Sequence, residues 1–418
     1  MKPAPDTSPG ALRDAETFAA GNRSGAGLLV LSEVYIPIRG GHVVWLHELC
    51  KRLAGAQVLT GQTDGLPTHQ MIDGVNVTRL RLNRLAFVRP ESLFLYGNFL
   101  RVALRLSRQV RPKAILAARV LPEGLIGSVV GRLLGIPSIV LAHGEEISGN
   151  AKGLALGRRR KWTTALKRSL LWRTYAAADA IIGNAHFTKR LLVEGGIEEA
   201  KVAVVHPGTD PVRFRPADRD AALTQQLALE GKRVILTLGR LTERKGQDMT
   251  IRALPRILQA VPECVYVIGG GGEYGRHLRG LAASLGLNSH VRFLGEVQDE
   301  MLPKLYALAD VFAMPNRKLP LSNDLEGFGI VFLEAGACGV PVVGGRSGGV
   351  PDAVIDGQTG LLVDGANPDE IARAVIRLLT DRELARSLGL KARQRVQAEL
   401  TWEHSARGVQ AAIARAGH

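Results

Sequence analysis

The sequence predicts an α/β protein of two domains, each built on a parallel sheet wrapped by helices. Three observations carry that prediction. At 418 residues and 46% apolar content the chain is too long for one core and suggests two units of about 200 residues. Short apolar strand patterns alternate with helical patterns through both halves, which is how strand–helix–strand units are written. Each half also opens alike, with an apolar strand running into a glycine-bearing loop: residues 27–31 before Gly40-Gly41, and 234–238 before Gly239.

Residues 1–24 are rich in Ala, Gly, Pro and charge and lack the apolar centre of a signal peptide, so they read as a disordered leader. The first domain is expected over 25–210. It begins with the strand 27–31, the loop Tyr35 to His42 and a helix over 43–53. Strands follow near 58–60 and 75–78, then an arginine-studded helix over 93–110. The segment 124–143 is the only rival for a membrane span. Arg132, four glycines and Pro137 split it instead into a helix to Leu134 and a strand over 138–141 that ends at His143. A basic helix over 158–173, a strand from Ala180 into Asn184, and a strand from Lys201 into His206-Pro-Gly208 close the domain.

A linker from Asp210 to about Gly231 leads to the second domain, expected over 211–400. Its first strand, 234–238, enters a cationic loop carrying Arg240 and Lys245, placed where ligands bind in open α/β folds. The strand 265–269 is followed by Gly270-Gly-Gly272-Glu-Tyr-Gly275, a literal G-x-G-x-x-G, with Glu296 about twenty residues on. That is the fingerprint of a nicotinamide-dependent dehydrogenase. It stands after a later strand of its domain and leaves the cationic loop unexplained. Beyond the polar loop 315–325 come a strand ending near Val363 and helices over 368–379, 381–388 and most of 391–415.

The segment from Asp324 to Gly349 organises the chemistry. Gly327 and Gly329 suit a tight turn, 330–337 reads as a short buried helix, and Gly339-Val-Pro341 stops it ahead of a buried strand. Glu326 falls at the helix mouth. Glu334 falls inside the helix among apolar neighbours and needs a partner. The N–H groups from Phe328 to Val331, Ile330 among them, form an anion site by geometry and dipole. A diphosphate there would leave one carboxylate facing each end, which suggests a nucleotide-sugar.

Glu326 and Glu334 in an E-x7-E pattern, Ala313-Met314-Pro315 before it and Ser347-Gly-Gly349-x-Pro351 after it resemble the signature of the retaining glycosyltransferases of family 4. Within that family the chain is similar to the bacterial phosphatidylinositol mannosyltransferases. The resemblance implies the GT-B fold, two Rossmann-like domains with parallel sheets facing across a cleft. It also implies that residues 401–418, from Thr401-Trp402-Glu403, form a terminal helix returning to the first domain. The implied activity is retaining transfer of a hexose, mannose favoured, from a GDP- or UDP-sugar to a hydroxyl of a lipid-linked or glycan acceptor. On this reading Arg240 and Lys245 hold the diphosphate, Glu326 the sugar hydroxyls, Glu334 the ribose, and His143 orients the sugar and the incoming hydroxyl. Gly40, Gly41, Gly239, Gly270, Val297, Gly327, Phe328, Gly329 and Ile330 line the donor. No cofactor is implied beyond the nucleotide-sugar co-substrate. With no Asp-x-Asp motif for a diphosphate-bound metal, the expected reaction is metal-independent. A nucleotide-sugar epimerase or hydrolase on the same scaffold, and less readily a dehydrogenase, stand as alternatives.

Charge and cysteine bound the setting. Cys50, Cys264 and Cys338 are too scattered for a metal motif or a disulfide framework, so a reducing cytoplasm is the natural compartment. The net charge is +15, and residues 1–210 carry 28 Lys and Arg against 16 Asp and Glu, so the first half is expected to meet something anionic. Arg158, Arg159, Arg160, Lys161, Lys167, Arg168 and Arg173 stand beside Trp162, Leu166, Leu170 and Trp172 at helical spacing. Two readings stay open: an interfacial helix resting on the inner face of the plasma membrane, or a surface helix whose Leu and Trp face the core. No nucleic-acid recognition fold accompanies the charge.

Overall fold

The computed structural model describes residues 27–38, 40–80, 90–148, 158–319 and 325–417, with side chains of the helices starting at Pro90 and Arg158 described from 96 and 165 onward. The expected leader, the side chains of Arg158, Arg159, Arg160 and Lys161, and the middle of the polar loop lie outside the described residues.

Two sheets organise the chain. The first contains β1 (Leu28–Ser32), β2 (Ala56–Gly61), β3 (His69–Ile72), β4 (Val75–Leu80), β5 (Ile115–Ala117), β6 (Ser138–Ala142), β7 (Ala180–Gly183) and β8 (Val202–Val204), in the order β3-β4-β2-β1-β5-β6-β7-β8. All neighbours are parallel except the β3–β4 hairpin. The second contains β9 (Arg233–Leu238), β10 (Cys264–Gly269), β11 (Val291–Gly295), β12 (Val311–Met314), β13 (Val342–Gly345) and β14 (Leu361–Val363), in the order β11-β10-β9-β12-β13-β14, all parallel. Strands such as β1, β6, β10 and β13 are buried along their whole length because helices cover both faces, which is why they read as continuous apolar runs. In both sheets the order reverses beside the first strand of the domain, between β1 and β5 and between β9 and β12. Crevices outside the carboxyl ends of strands at such switch points are where open α/β sheets hold ligands.

The terminal helix Trp402–Ala416 crosses back as expected. Trp402, Ala406, Val409 and Ala412 are buried in one cluster with Trp45, Leu141 and Ile182 of the first domain. Trp45 Nε1 donates to Ser405 Oγ at 2.7 Å, and Arg52 pairs with Glu403 at 2.8 Å.

One expectation is corrected, and two open points are filled in. The helices placed over 381–388 and 391–415 are instead Arg382–Glu399 and Trp402–Ala416, with the break at Leu400-Thr401. Gly389 sits inside the first of them, packed so closely that any Cβ there would overlap the carbonyl oxygen of Gly339. The linker holds a helix, Ala221–Gln226, capped by the Asp220 carboxylate, which accepts from the N–H of Leu223 at 2.9 Å. On the basic helix Arg158–Ala177, Leu171 and Trp172 follow the second of the two open readings and pack against the cluster around Tyr175, Ile181 and Leu192. Leu166 remains 71% exposed beside the exposed Lys167 and Arg168.

Candidate active site

The loop leaving β9 turns back through Glu243–Lys245, a single tight helical turn. That turn aims two consecutive cations at one carboxylate: Arg244 Nη1 lies 2.7 Å and Lys245 Nζ 2.6 Å from Glu326 Oε2. Asn316, two residues past β12, donates to the same oxygen at 2.9 Å. Burial alone would push the Glu326 carboxyl up, but the charges of Lys245 and Arg244 and their hydrogen bonds outweigh it and hold the group at about 2. Lys245 is lowered from its usual value, by burial first, with Glu326 opposing. Two cations on one anion leave the cluster with a net positive charge at the mouth of the helix Ile330–Ala337. The helix dipole adds to it.

Glu334 points elsewhere. It accepts a 2.7 Å hydrogen bond from the Tyr306 hydroxyl, and burial raises its carboxyl above the usual range against that bond. The partner that an apolar setting demands is therefore Tyr306.

The glycine run after β10 has a packing role. Gly270 and Gly272 lie at positive φ, where a Cβ would overlap the carbonyl oxygens of Gly239 and Leu241. The two loops are stitched by Gly239 N–H to Gly269 O at 2.9 Å and Leu241 N–H to Gly271 O at 2.8 Å, and Gly270 N–H ties the glycine run to the end of β11 through Gly295 O at 2.7 Å. Glycine serves close approach of loop to loop here, so the dehydrogenase reading has no support. Val297 closes the far side of this turn, its side chain against Gly269.

The first domain supplies the opposite wall. Gly40 and Gly41 begin the helix Gly41–Arg52, and Gly41 faces the Ile330 side chain at the donor-side helix mouth, with 3.8 Å between a Cβ built there and Ile330 Cδ1. His143, at the carboxyl end of β6, is buried with its ring 5.8 Å from those of Trp45 and His42. Its Nε2 is 2.8 Å from the carbonyl oxygen of Ala118, which can only accept, so Nε2 carries the proton and Nδ1 is the ring's acceptor. His42 accepts from Arg119 at 3.1 Å, and burial, then Arg119, His143 and Arg240, push it down to about 3, leaving it neutral. Arg240 is exposed and close enough across the cleft to act on His42. The walls touch at Gly327, where a Cβ would come within 2.8 Å of both the His143 carbonyl oxygen and the Asn184 amide. Phe328 stacks on His206, 5.2 Å between ring centres.

The structure thus gathers His143, Gly41, Lys245, Glu326, Gly327, Phe328 and Ile330 around one cleft, with Arg240 at its edge and Glu334 turned toward Tyr306. Arg244, Asn316, Tyr306 and His42 were missed by sequence reasoning. Arg244 adjoins Lys245, and neighbours normally diverge; only the tight turn directs both to Glu326. Asn316 carried a usable signal, a polar residue just past a buried strand.

Two family models cover most of the chain, Glycosyltransferase Family 4 over residues 39–213 and Glycosyl transferases group 1 over 218–395. A GDP-mannose-dependent alpha-(1-6)-phosphatidylinositol monomannoside mannosyltransferase of Mycobacterium tuberculosis is 33% identical over 378 residues, 90% of this chain and 95% of that protein. A D-inositol 3-phosphate glycosyltransferase of Salinispora arenicola is 31% identical over 88% of this chain and 86% of its own. Among solved structures, Anabaena HepE in complex with UDP-glucose superposes with a TM-score of 0.73 at 20% identity, covering 93% of this chain and 99% of its own. Sucrose-phosphate synthase from Thermosynechococcus elongatus gives 0.74 at 24% identity, covering 92% and 98%. With two parallel sheets facing across a cleft and a helix crossing back, the chain has the GT-B fold, and it belongs to glycosyltransferase family 4.

Proposed function

We propose that this enzyme is a retaining mannosyltransferase that moves mannose from GDP-mannose to a hydroxyl of an inositol-containing lipid. The observation that carries the reading is the partly buried Lys245–Glu326–Arg244 cluster at the mouth of the helix Ile330–Ala337, facing Gly41 of the other domain. Charge develops on the leaving diphosphate as the glycosidic bond breaks, and preorganised cations and N–H groups lower that barrier. Lys245 and Arg240 serve the diphosphate, which then needs no metal. Glu326, held ionised by its cations, accepts from sugar hydroxyls, and Glu334 takes the ribose once Tyr306 shares it. His143, with Nδ1 as acceptor, orients the sugar and the incoming hydroxyl. A front-face route, in which a phosphate oxygen accepts the acceptor's proton, needs no carboxylate nucleophile. The names of the relatives support the choice of mannose and of an inositol lipid. Leu166 with Lys167 and Arg168 offers a small interfacial contact for such an acceptor's membrane. Among the described residues no helix is long and apolar enough to cross one.

The test is transfer of labelled mannose from GDP-mannose into phosphatidylinositol or its monomannoside in vesicles, in EDTA, with the product anomer read by NMR. An α-mannoside formed without added metal is expected. An inverted product, strict dependence on Mg²⁺, or turnover of UDP-hexoses only would refute it.

A further inference from the structure

Three side chains that the transfer chemistry leaves unused converge at the seam between the domains. His186 opens the helix His186–Glu194, His206 follows β8, and Asp352 belongs to the short helix Val350–Ala353 of the second domain. One ligand atom from each lies within 4.8 Å of the other two. His186 Nδ1 is 3.3 Å from Asp352 Oδ2, which also accepts the His186 backbone N–H. His206 Nδ1 lies 3.2 Å from the carbonyl oxygen of Asn184, so Nδ1 carries the proton and Nε2 keeps its lone pair. A ring nitrogen fixed by a carbonyl while the other is left free is how metal-binding histidines are ordinarily set. Arg395, the nearby cation, is engaged by Glu399 at 2.6 Å and by the backbone carbonyls of Asp352 and Ala353.

We propose that His186, His206 and Asp352 bind one divalent cation of the zinc class, two ligands from the first domain and one from the second, and that the ion fastens the domains together. Two imidazoles and one carboxylate suit Zn²⁺, Co²⁺ or Ni²⁺, whereas Mg²⁺ and Ca²⁺ prefer oxygen ligands throughout. Zinc–ligand distances of about 2.0–2.2 Å require the three groups to draw together by about 1 Å, within the reach of side-chain rotation. His186 is exposed, which leaves a fourth position for water. The ion is distinct from any diphosphate metal: it sits on the His206–Phe328 side of the seam. Its effect reaches the donor loop through Gly349, whose N–H bonds the Glu326 carbonyl at 2.9 Å immediately before the Asp352 helix.

The experiment uses the full chain, stripped with EDTA and desalted, titrated calorimetrically with ZnSO4 and, in parallel, CoCl2 and MgCl2, without donor or acceptor. One Zn²⁺ per chain, a visible tetrahedral-type Co²⁺ spectrum and no Mg²⁺ binding are expected. His186→Gln, at an exposed position, and Asp352→Asn, which keeps an oxygen for the His186 N–H, should each weaken Zn²⁺ by at least about tenfold. Absence of stoichiometric Zn²⁺ binding, equal affinity for Mg²⁺, or unchanged affinity in both variants would overturn the proposal. Because no sugar is present, its failure says nothing against glycosyl transfer, and failure of the transfer assay says nothing against the ion.

Discussion

Two partly buried glutamates eight residues apart end on opposite sides of the usual carboxylate value, because one is given two cations and the other a hydroxyl. Glu326 is held at about 2 by Lys245 and Arg244, whereas Glu334 rises with only Tyr306 for a donor. A carboxyl lowered on folding adds stability that is present above its unfolded value and is lost as pH falls toward its folded one. Glu326→Gln removes the negative charge that Lys245 and Arg244 share and should cost about 3–5 kcal/mol at pH 7. In urea unfolding its deficit should be full at pH 7 and smaller at pH 3, since wild type itself loses the pair between about 4.5 and 2. A deficit of constant size would mean that Glu326 acts by shape. Lys245→Ala tests the cation itself. If Lys245 meets charge that appears only as the bond breaks, kcat falls by about 10²- to 10³-fold with little change in donor KM. Lys245→Arg restores only part, because a planar fork does not replace a compact ammonium. A variant that raises KM alone would assign Lys245 to ground-state binding.

Elements were legible where periodicity was long and unlegible where packing decided. Apolar runs such as β1, β9 and β10 declare themselves, and the E-x7-E helix was readable because Gly329 and Gly339 bracket it at positive φ. The β3–β4 hairpin went unseen although Asp73-Gly74, both at positive φ, is a strong hairpin turn, because β3 is half-exposed and lacks an apolar run. The carboxylate, the lysine and the histidine of the site could be named from motif and position. Arg244 and Tyr306 could not, because their roles depend on where segments from different strands meet. Gly389 shows the limit: in sequence it is a helix breaker, in the fold it lets the helix Arg382–Glu399 lie against the backbone of Gly339. The two effects oppose in sign. Gly→Ala at an exposed helical site would gain about 1 kcal/mol, but here the added methyl meets a carbonyl oxygen that only a backbone shift can move, at a cost of about 1–3 kcal/mol or more. Gly389→Ala should therefore lower the Tm, measured by calorimetry. A rise would show that the helix can slide away freely.

At the scale of the whole molecule, the helix Trp402–Ala416 belongs by sequence to the second domain's end and by packing to the first domain's core. The chain crosses between the domains twice, near 205–220 and at Leu400-Thr401. Thr209 N–H donates to the Leu400 carbonyl at 3.0 Å, which ties the crossings to each other. This arrangement makes a specific prediction about coupling. All four tryptophans lie on the first-domain side: Trp45 in its core, Trp162 and Trp172 on the helix Arg158–Ala177, and Trp402 on the returning helix. Tryptophan fluorescence therefore reports unfolding of the first domain, whereas GDP, on the proposed reading, binds the second. Saturating GDP at about 100 times its Kd stabilises whatever unfolds with the second domain by about 2.7 kcal/mol. If the returning helix couples the domains, GDP must raise the fluorescence melt of the wild type. Trp402→Ala removes a buried aromatic worth about 3–5 kcal/mol from that anchor, so the first domain should melt earlier and the GDP-induced shift in its fluorescence should shrink. The three remaining tryptophans keep the signal readable. A GDP shift as large in Trp402→Ala as in wild type would place the coupling in the cleft contacts at Gly327 and Phe328 instead of the crossing helix.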